Sequence, residues 1–271
     1  MSPPTGDPSA ADGGLSLRDI GVRFGGLVAL EGVSLQVRPG RVVGVIGPNG
    51  AGKTTLFNVV CGFVKPSTGS MTVDGRPFQP RPHRLNADGI ARTLQGVGLF
   101  DHLTVVENVM AGATNEARTG FFAGLLALPG SDREERRLRE FAMELLAELG
   151  VAAYARAYPQ TLPYAVRKRI AVARALAARP RLMLLDEPAG GLGHDDIQEL
   201  GALIRGLPAR GGLNCAVMLV EHHMDLVMSV CDEINVLDFG RLIAHGTPAE
   251  VKANPKVLEA YLGADVEEAA A

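Results

Sequence analysis

The chain has 271 residues and a formal charge of −3 at pH 7, with 46% hydrophobic, 21% charged and 5% aromatic residues. That apolar fraction supplies the core of one large domain, or of a domain with a small lobe, and excludes a wholly disordered chain. The slight acidity excludes any global pull toward nucleic acid or anionic lipid.

Residues 1–14, rich in Pro, Gly, Asp and Ser, read as a disordered leader with neither the basic start nor the apolar stretch of a secretory signal. Leu15 to Val37 is strand-like in two halves around a turn at Gly25-Gly26. RVVGVIG, from Arg41, is a short β-branched run that suits a buried strand, and TTLFNVVCGF reads as the helix after a glycine loop. SMTVDGRPF has the Asp-Gly turn of a hairpin. From about Thr104 to Ala178 the chain is helical in pattern, and DREERRLREFAMELLAELG is a solvated amphipathic helix with Glu135 and Arg139 spaced i,i+4. After Arg181 short apolar runs return, LMLLD, CAVMLVE and INVLD, with helices between. This alternation predicts an α/β core with a mostly parallel sheet, into which the helical stretch is inserted. No apolar run approaches the roughly 20 residues of a membrane helix. Cys61, Cys215 and Cys231 are too far apart for a metal motif and odd in number, which points to a reducing compartment.

The sharpest motif is Gly47-Pro48-Asn49-Gly50-Ala51-Gly52-Lys53-Thr54, which fits G-x-x-x-x-G-K-[ST] between a strand and a helix. In that arrangement backbone N–H groups nest around phosphates at the helix N-terminus, the lysine reaches the β- and γ-phosphates, and the Thr54 hydroxyl holds Mg²⁺. RLMLLDEP supplies the second half of such a site. Asp186 ends a buried strand, where ligands collect in open α/β sheets, and is placed to hold Mg²⁺; Glu187 is placed to polarise the attacking water.

With these two motifs in hand, the sequence from about Leu15 to Gly263 resembles the ATP-binding cassette family of transport ATPases. The resemblance implies a P-loop NTPase (RecA-like) α/β core with an antiparallel β subdomain and an inserted α-helical subdomain at about 96–178, the whole cassette spanning 15–265 with a tail at 266–271. It implies ATP and Mg²⁺ as ligands, contacted by the phosphate loop from Gly47 to Thr54 and by Thr55. Phe24 matches the aromatic that stacks on adenine, and Gln95, in ARTLQ, matches the glutamine that touches Mg²⁺ or water. VEHHM resembles the strand end whose histidine contacts the γ-phosphate; that residue is His222, and His223 replaces the more usual Asp.

LPYAVRKRIAVARAL occupies the place of the family signature, which grips the γ-phosphate of the ATP on the opposite subunit. By this resemblance Leu162, Pro163, Tyr164 and Ala165 contact that nucleotide, with departures: Pro163 replaces Ser, Ala165 replaces Gly and Val166 replaces Gln. In AGGLGHDD, Gly193 replaces the usual Asp or Asn of the loop that faces the other subunit. The apolar insertion TGFFAGLLALPGSDREERR and the ending HGTPAEVKANPKVLEAYLG look like the larger ATPase of branched-chain amino-acid importers. The resemblance implies a peripheral subunit on the cytoplasmic face of a bacterial inner membrane. Its partners are membrane permease subunits, a second ATPase subunit and, indirectly, a substrate-binding protein, with no nucleic acid and no insertion into the bilayer. Alternatives in view are the ATPase of a urea or amide importer, that of a lipopolysaccharide-type exporter, and a non-transport cassette protein.

Overall fold

The structure is a computed structural model that describes residues 13–93, 97–113, 131–212 and 214–268. Its first strands are β1 (Leu15–Phe24) and β2 (Leu27–Val37), paired antiparallel around Gly25 and Gly26. Alternate residues (Leu15, Leu17 on β1; Val33, Leu35, Val37 on β2) point to one buried face, the period-2 pattern of a half-covered sheet. The register slips near Asp19, whose positive φ marks a bulge and whose N–H donates to Ser34 Oγ at 2.8 Å. Two further strands, β4 (Thr68–Val73) and β5 (Arg76–Pro77), complete a sheet of order β2-β1-β4-β5. They turn at Asp74 and Gly75, both at positive φ as a primed hairpin turn requires.

The second sheet carries the site. It contains β3 (Val42–Ile46), β6 (Ile90–Arg92), β7 (Leu182–Asp186), β8 (Ala216–Val220), β9 (Glu233–Asp238) and β10 (Arg241–Gly246), in the order β10-β9-β3-β8-β7-β6. All neighbours are parallel except β10, which runs antiparallel to β9. β3 and β8 are buried throughout, which is why they read as unbroken apolar runs. Helix α1 (Lys53–Val60) and the first sheet close one face, with Leu56, Phe57, Val59 and Val60 fully buried against Leu15, Ile20 and Val43.

On the other face lie the remaining helices. α2 (Val105–Gly112), α3 (Ser131–Glu148) and α4 (Tyr164–Ala177) pack against one another. α2 starts with a capping box: Glu107 N–H reaches Thr104 Oγ1, and Thr104 N–H donates to Glu107 Oε2 at 2.7 Å. The Thr104 hydroxyl, which donates to Glu107 Oε2 at 2.6 Å, and then the Thr104 N–H hold the Glu107 carboxyl below the usual carboxylate range. α2 crosses α4 so closely that a Cβ on Gly112 would meet the Arg174 carbonyl at 2.0 Å. α3 shows its expected i,i+4 pair, Arg139 to Glu135 at 3.1 Å. Helices α5 (His194–Gly206) and α6 (Met224–Val230) follow β7 and β8, and α7 (Pro248–Lys252) and α8 (Pro255–Glu268) follow β10.

β6 was not expected from sequence, because three residues carry no periodicity; pairing with β7 makes it a strand. β10 was not expected either, only its last two residues falling in the characteristic ending; its antiparallel return onto β9 is decided by the Phe239-Gly240 turn. The leader to residue 12, Gln95 and the apolar insertion at Phe121, Phe122, Leu125 and Leu126 lie outside the described residues. Among the described residues no helix is long and apolar enough to cross a membrane.

Candidate nucleotide-binding and hydrolysis site

β3, central in its sheet, delivers the chain at Ile46 to a loop that ends on the first turn of α1. The conformations there explain the glycines. Gly47 has φ 153°, and a Cβ on it would lie 2.1 Å from the Leu237 carbonyl oxygen. Gly52, left-handed at φ 100°, is the N-cap of α1 and would collide with the Ala29 carbonyl at 2.8 Å. No side chain caps this helix end, so its N–H dipoles point outward, the arrangement that favours a phosphate. Lys53 is buried and folds back, its Nζ donating to the Gly47 and Pro48 carbonyls at 2.7 and 2.8 Å. Burial pulls its pKa below the usual lysine range, while the Glu187 charge acts in the opposite sense. Thr54, one residue on, is exposed.

Three other segments are tied to this loop. The Gly240 N–H donates to the Ala51 carbonyl at 3.0 Å, and the Glu31 N–H to the Gly240 carbonyl at 2.8 Å. The β1–β2 hairpin, the loop and the β9–β10 turn therefore form one knot. Phe24, at the hairpin end of β1, has half its surface exposed, and Phe239 protrudes from the β9–β10 turn. From the far end of the chain, the buried Tyr261 hydroxyl faces the Gly47 backbone, and burial drives its pKa to about 12.

β7 ends at Asp186, half-buried, and Glu187 follows at φ 45°. A left-handed glutamate costs roughly 1–2 kcal/mol. The turn is over-determined: Glu187 N–H donates to Val220 O at 2.9 Å, and Glu187 O accepts from Gly190 N–H at 3.1 Å and Lys168 Nζ at 3.2 Å. Burial first, and then the adjacent Glu187 charge, push the Asp186 pKa up; Arg92 opposes this and Glu221 adds to it. Crowded, partly desolvated carboxylates, with the threonine hydroxyl on the first turn of α1 as a further oxygen donor, are a donor set suited to a hard divalent cation, whose charge would relieve the crowding. His222, just past β8, has Nδ1 3.8 Å from Glu187 Oε1 and 3.5 Å from Glu221 Oε2. Its ring lies 4.4 Å from that of His223.

Lys53, Asp186, Glu187 and His222 thus converge. The signature residues lie at the start of α4, whose Lys168 reaches the Glu187 carbonyl. Pro163 is exposed and stands at the N-cap of α4; Tyr164 packs within 3.2 Å of where a Cβ on Gly191 would lie, with Lys168 Nζ 5.3 Å from its ring centre. Gly193 is the N-cap of α5, with φ −76° and open space where its Cβ would be, so nothing in the fold requires glycine there. Three residues near the site escaped sequence reasoning: Glu221, Lys168 and Tyr261. Glu221 was visible as a charge ending an apolar strand; the other two gave no local signal.

The phosphate loop, the carboxylate-ended strand two places along the sheet and, between them, the histidine strand end are the parts of a nucleotide hydrolase, and a family profile described as ABC transporter matches residues 30–190. This chain belongs to that family. A second profile, described as branched-chain amino acid ATP-binding cassette transporter, matches residues 241–267. The cassette is 42% identical, over 92% of its length and 97% of the relative's, to the high-affinity branched-chain amino acid transport ATP-binding protein BraF of Pseudomonas aeruginosa. It is 38% identical to the protein LivG of the same description from Escherichia coli, with the same coverage. Among solved structures, a nucleotide-free ATP-binding cassette from an ABC transporter matches with a TM-score of 0.77 at 29% identity, over 92% of this chain and 98% of that one. A cassette in its ADP conformation matches equally, over 93% and 99%. The α/β P-loop fold and the ATPase class expected from sequence are those of this family, and the cassette is a nucleotide-binding ATPase.

Proposed function

We propose that this cassette is the ATP-hydrolysing subunit of an importer for branched-chain amino acids, driving a separate membrane permease from the cytoplasmic face of the membrane. The match of residues 241–267 to the branched-chain profile is the observation that carries the substrate class. It sets this reading above the urea, amide and lipopolysaccharide alternatives. The absence of a long apolar helix among the described residues accords with a peripheral subunit whose membrane segments belong to another chain. A substrate-binding protein would deliver the amino acid on the far side.

In this reading the phosphate loop, from Gly47 to Thr55, wraps the ATP phosphates, Lys53 exchanges its carbonyl partners for β- and γ-phosphate oxygens, and Phe24 stacks on the base. Thr54, Asp186 and Gln95 would hold Mg²⁺. Such a cation would supply positive charge to the triphosphate. Glu187 accepts a proton from the attacking water, and His222 contacts the γ-phosphate. Leu162, Pro163, Tyr164 and Ala165 contribute to the nucleotide held by a second ATPase subunit, α4 offering its N-terminal dipole. The cassette and that second subunit close around ATP and open after hydrolysis.

Two measurements test the reading. Glu187→Gln is expected to keep ATP binding and lower kcat by about a hundredfold or more; near-normal turnover would remove Glu187 from the base role. Reconstitution with the co-purifying permease is expected to give ATP-dependent uptake of leucine, isoleucine or valine. Uptake of urea or short amides instead would overturn the substrate class.

A further inference from the structure

The parallel ladder between β7 and β8 continues one residue past the strand ends, through the bond from Glu187 N–H to Val220 O. At Glu187 the chain turns left-handed and leaves its neighbour, so no backbone rung follows. Glu221 takes over at that point. Its side chain is 0% exposed. A buried carboxylate persists only where hydrogen bonds replace its lost water, and this one has three from backbone amides. Oε1 accepts from Ala189 N–H at 2.8 Å; Oε2 accepts from His222 N–H at 2.7 Å and His223 N–H at 3.1 Å. One oxygen therefore holds the loop that carries Glu187, and the other holds the strand end that carries His222.

We infer that Glu221 is a positioning residue that clips the loop carrying Glu187 to the strand end carrying His222, and so fixes the distance between those two side chains; this rests on the roles given to them above. The residue type follows from the geometry. An apolar side chain would take the acceptor from three N–H groups, that of Ala189 buried and those of His222 and His223 partly so. Glutamine has one acceptor oxygen, and its NH₂ would face an N–H donor, so it can serve one segment only. The same carboxylate lies under His222 Nδ1 at 3.5 Å, so displacement of either segment changes the Glu187–His222 spacing of 3.8 Å.

The test compares wild type, Glu221→Gln, Glu221→Asp, His222→Ala and the double variant Glu221→Gln/His222→Ala, each full-length and assembled with its partner subunits. The readouts are kcat, KM for MgATP, nucleotide affinity, melting temperature and amide hydrogen exchange at Ala189, His222 and His223. Glu221→Gln is expected to lower kcat about ten- to a hundredfold. KM and affinity should stay within about twofold, since the phosphate loop is untouched. Exchange should rise on one side of the clip, and the added loss in the His222→Ala background should be far smaller than in wild type. Glu221→Asp, which keeps both acceptors on a shorter stem, should retain more activity than Glu221→Gln and covers the case in which the latter fails to fold. Full kcat in Glu221→Gln, or a loss that tracks affinity and melting temperature together, would overturn the clip. So would an equal fold-loss in both backgrounds. A normal kcat for His222→Ala, beside a slow Glu221→Gln with raised Ala189 exchange, would instead retire the role of His222 and leave the clip acting through Glu187.

Discussion

Two helices of this cassette begin where nucleotide chemistry is expected, and they are built to different tolerances. α1 is preceded by a loop whose glycines are dictated from outside: the Leu237 carbonyl blocks a side chain at Gly47 and the Ala29 carbonyl blocks one at Gly52. α4 begins after Pro163, with an alanine at its second residue, and the backbone there is ordinary helix. The first is locked by three neighbouring segments; the second is anchored to its own chain through Lys168 and Tyr164. A loop knotted into the fold cannot vary without loss of the fold. A helix end facing outward can lose glycines and still fold, so its departures from the family pattern bear on chemistry rather than on stability.

The sharpest way to break this contrast is at the phosphate loop. Lys53→Ala removes a charge that in the proposed complex serves two phosphates, and ATP affinity is expected to fall roughly ten- to a hundredfold; unchanged affinity in a nucleotide titration would refute the loop's role. Gly47→Ala should cost roughly 2 kcal/mol or more of stability because the new methyl overlaps a backbone carbonyl, read as a lower denaturation midpoint together with weakened nucleotide binding. Were Gly47→Ala as stable as wild type, the knot would not be a constraint. At the other helix, Ala165→Gly should leave the fold intact and raise the ATPase rate of the assembled pair, by up to about tenfold if the methyl displaces one charged hydrogen bond. No change in rate would mean that the alanine is harmless.

The smallest effect concerns the buried thiols. Burial drives Cys215 and Cys231 to about 12 and raises Cys61 as well, from a reference of 9.0. Folded pKa values above the unfolded ones contribute stability that is complete below pH 9.0 and is lost as pH rises from there toward about 12. Melting temperature should therefore decline over that window, and Cys215→Ala with Cys231→Ala should flatten the decline. Slow reaction of native thiols with an aromatic disulfide at pH 8 would accord with the same burial; rapid labelling of Cys215 would contradict it.

Much of the site was legible without coordinates because its parts are contiguous. A phosphate loop occupies eight consecutive residues, and Asp186-Glu187 and His222-His223 each stand at the end of an apolar run that reads as a strand. Strand and helix types from Leu15 to Val60, and from Leu182 to Asp238, followed from pattern: the antiparallel β1 and β2 alternate buried and open positions, and the parallel β3, β7, β8 and β9 are near-continuous apolar runs. Short elements did not. β6 exists because β7 lies beside it, and β10 because β9 does.

The sequence by itself therefore determined the fold class, the phosphate loop and the identity of the acidic and histidine groups near it, since each depends on neighbours within a few residues. Tertiary structure alone decided which glycines are obligatory, why Glu187 adopts a left-handed turn, and that one buried carboxylate joins Ala189 to His222 and His223. Those facts depend on which carbonyl or N–H from a distant segment arrives at a given point. Only the folded sheet, by setting β7 against β8 and the β9–β10 turn against the loop, brings such groups together.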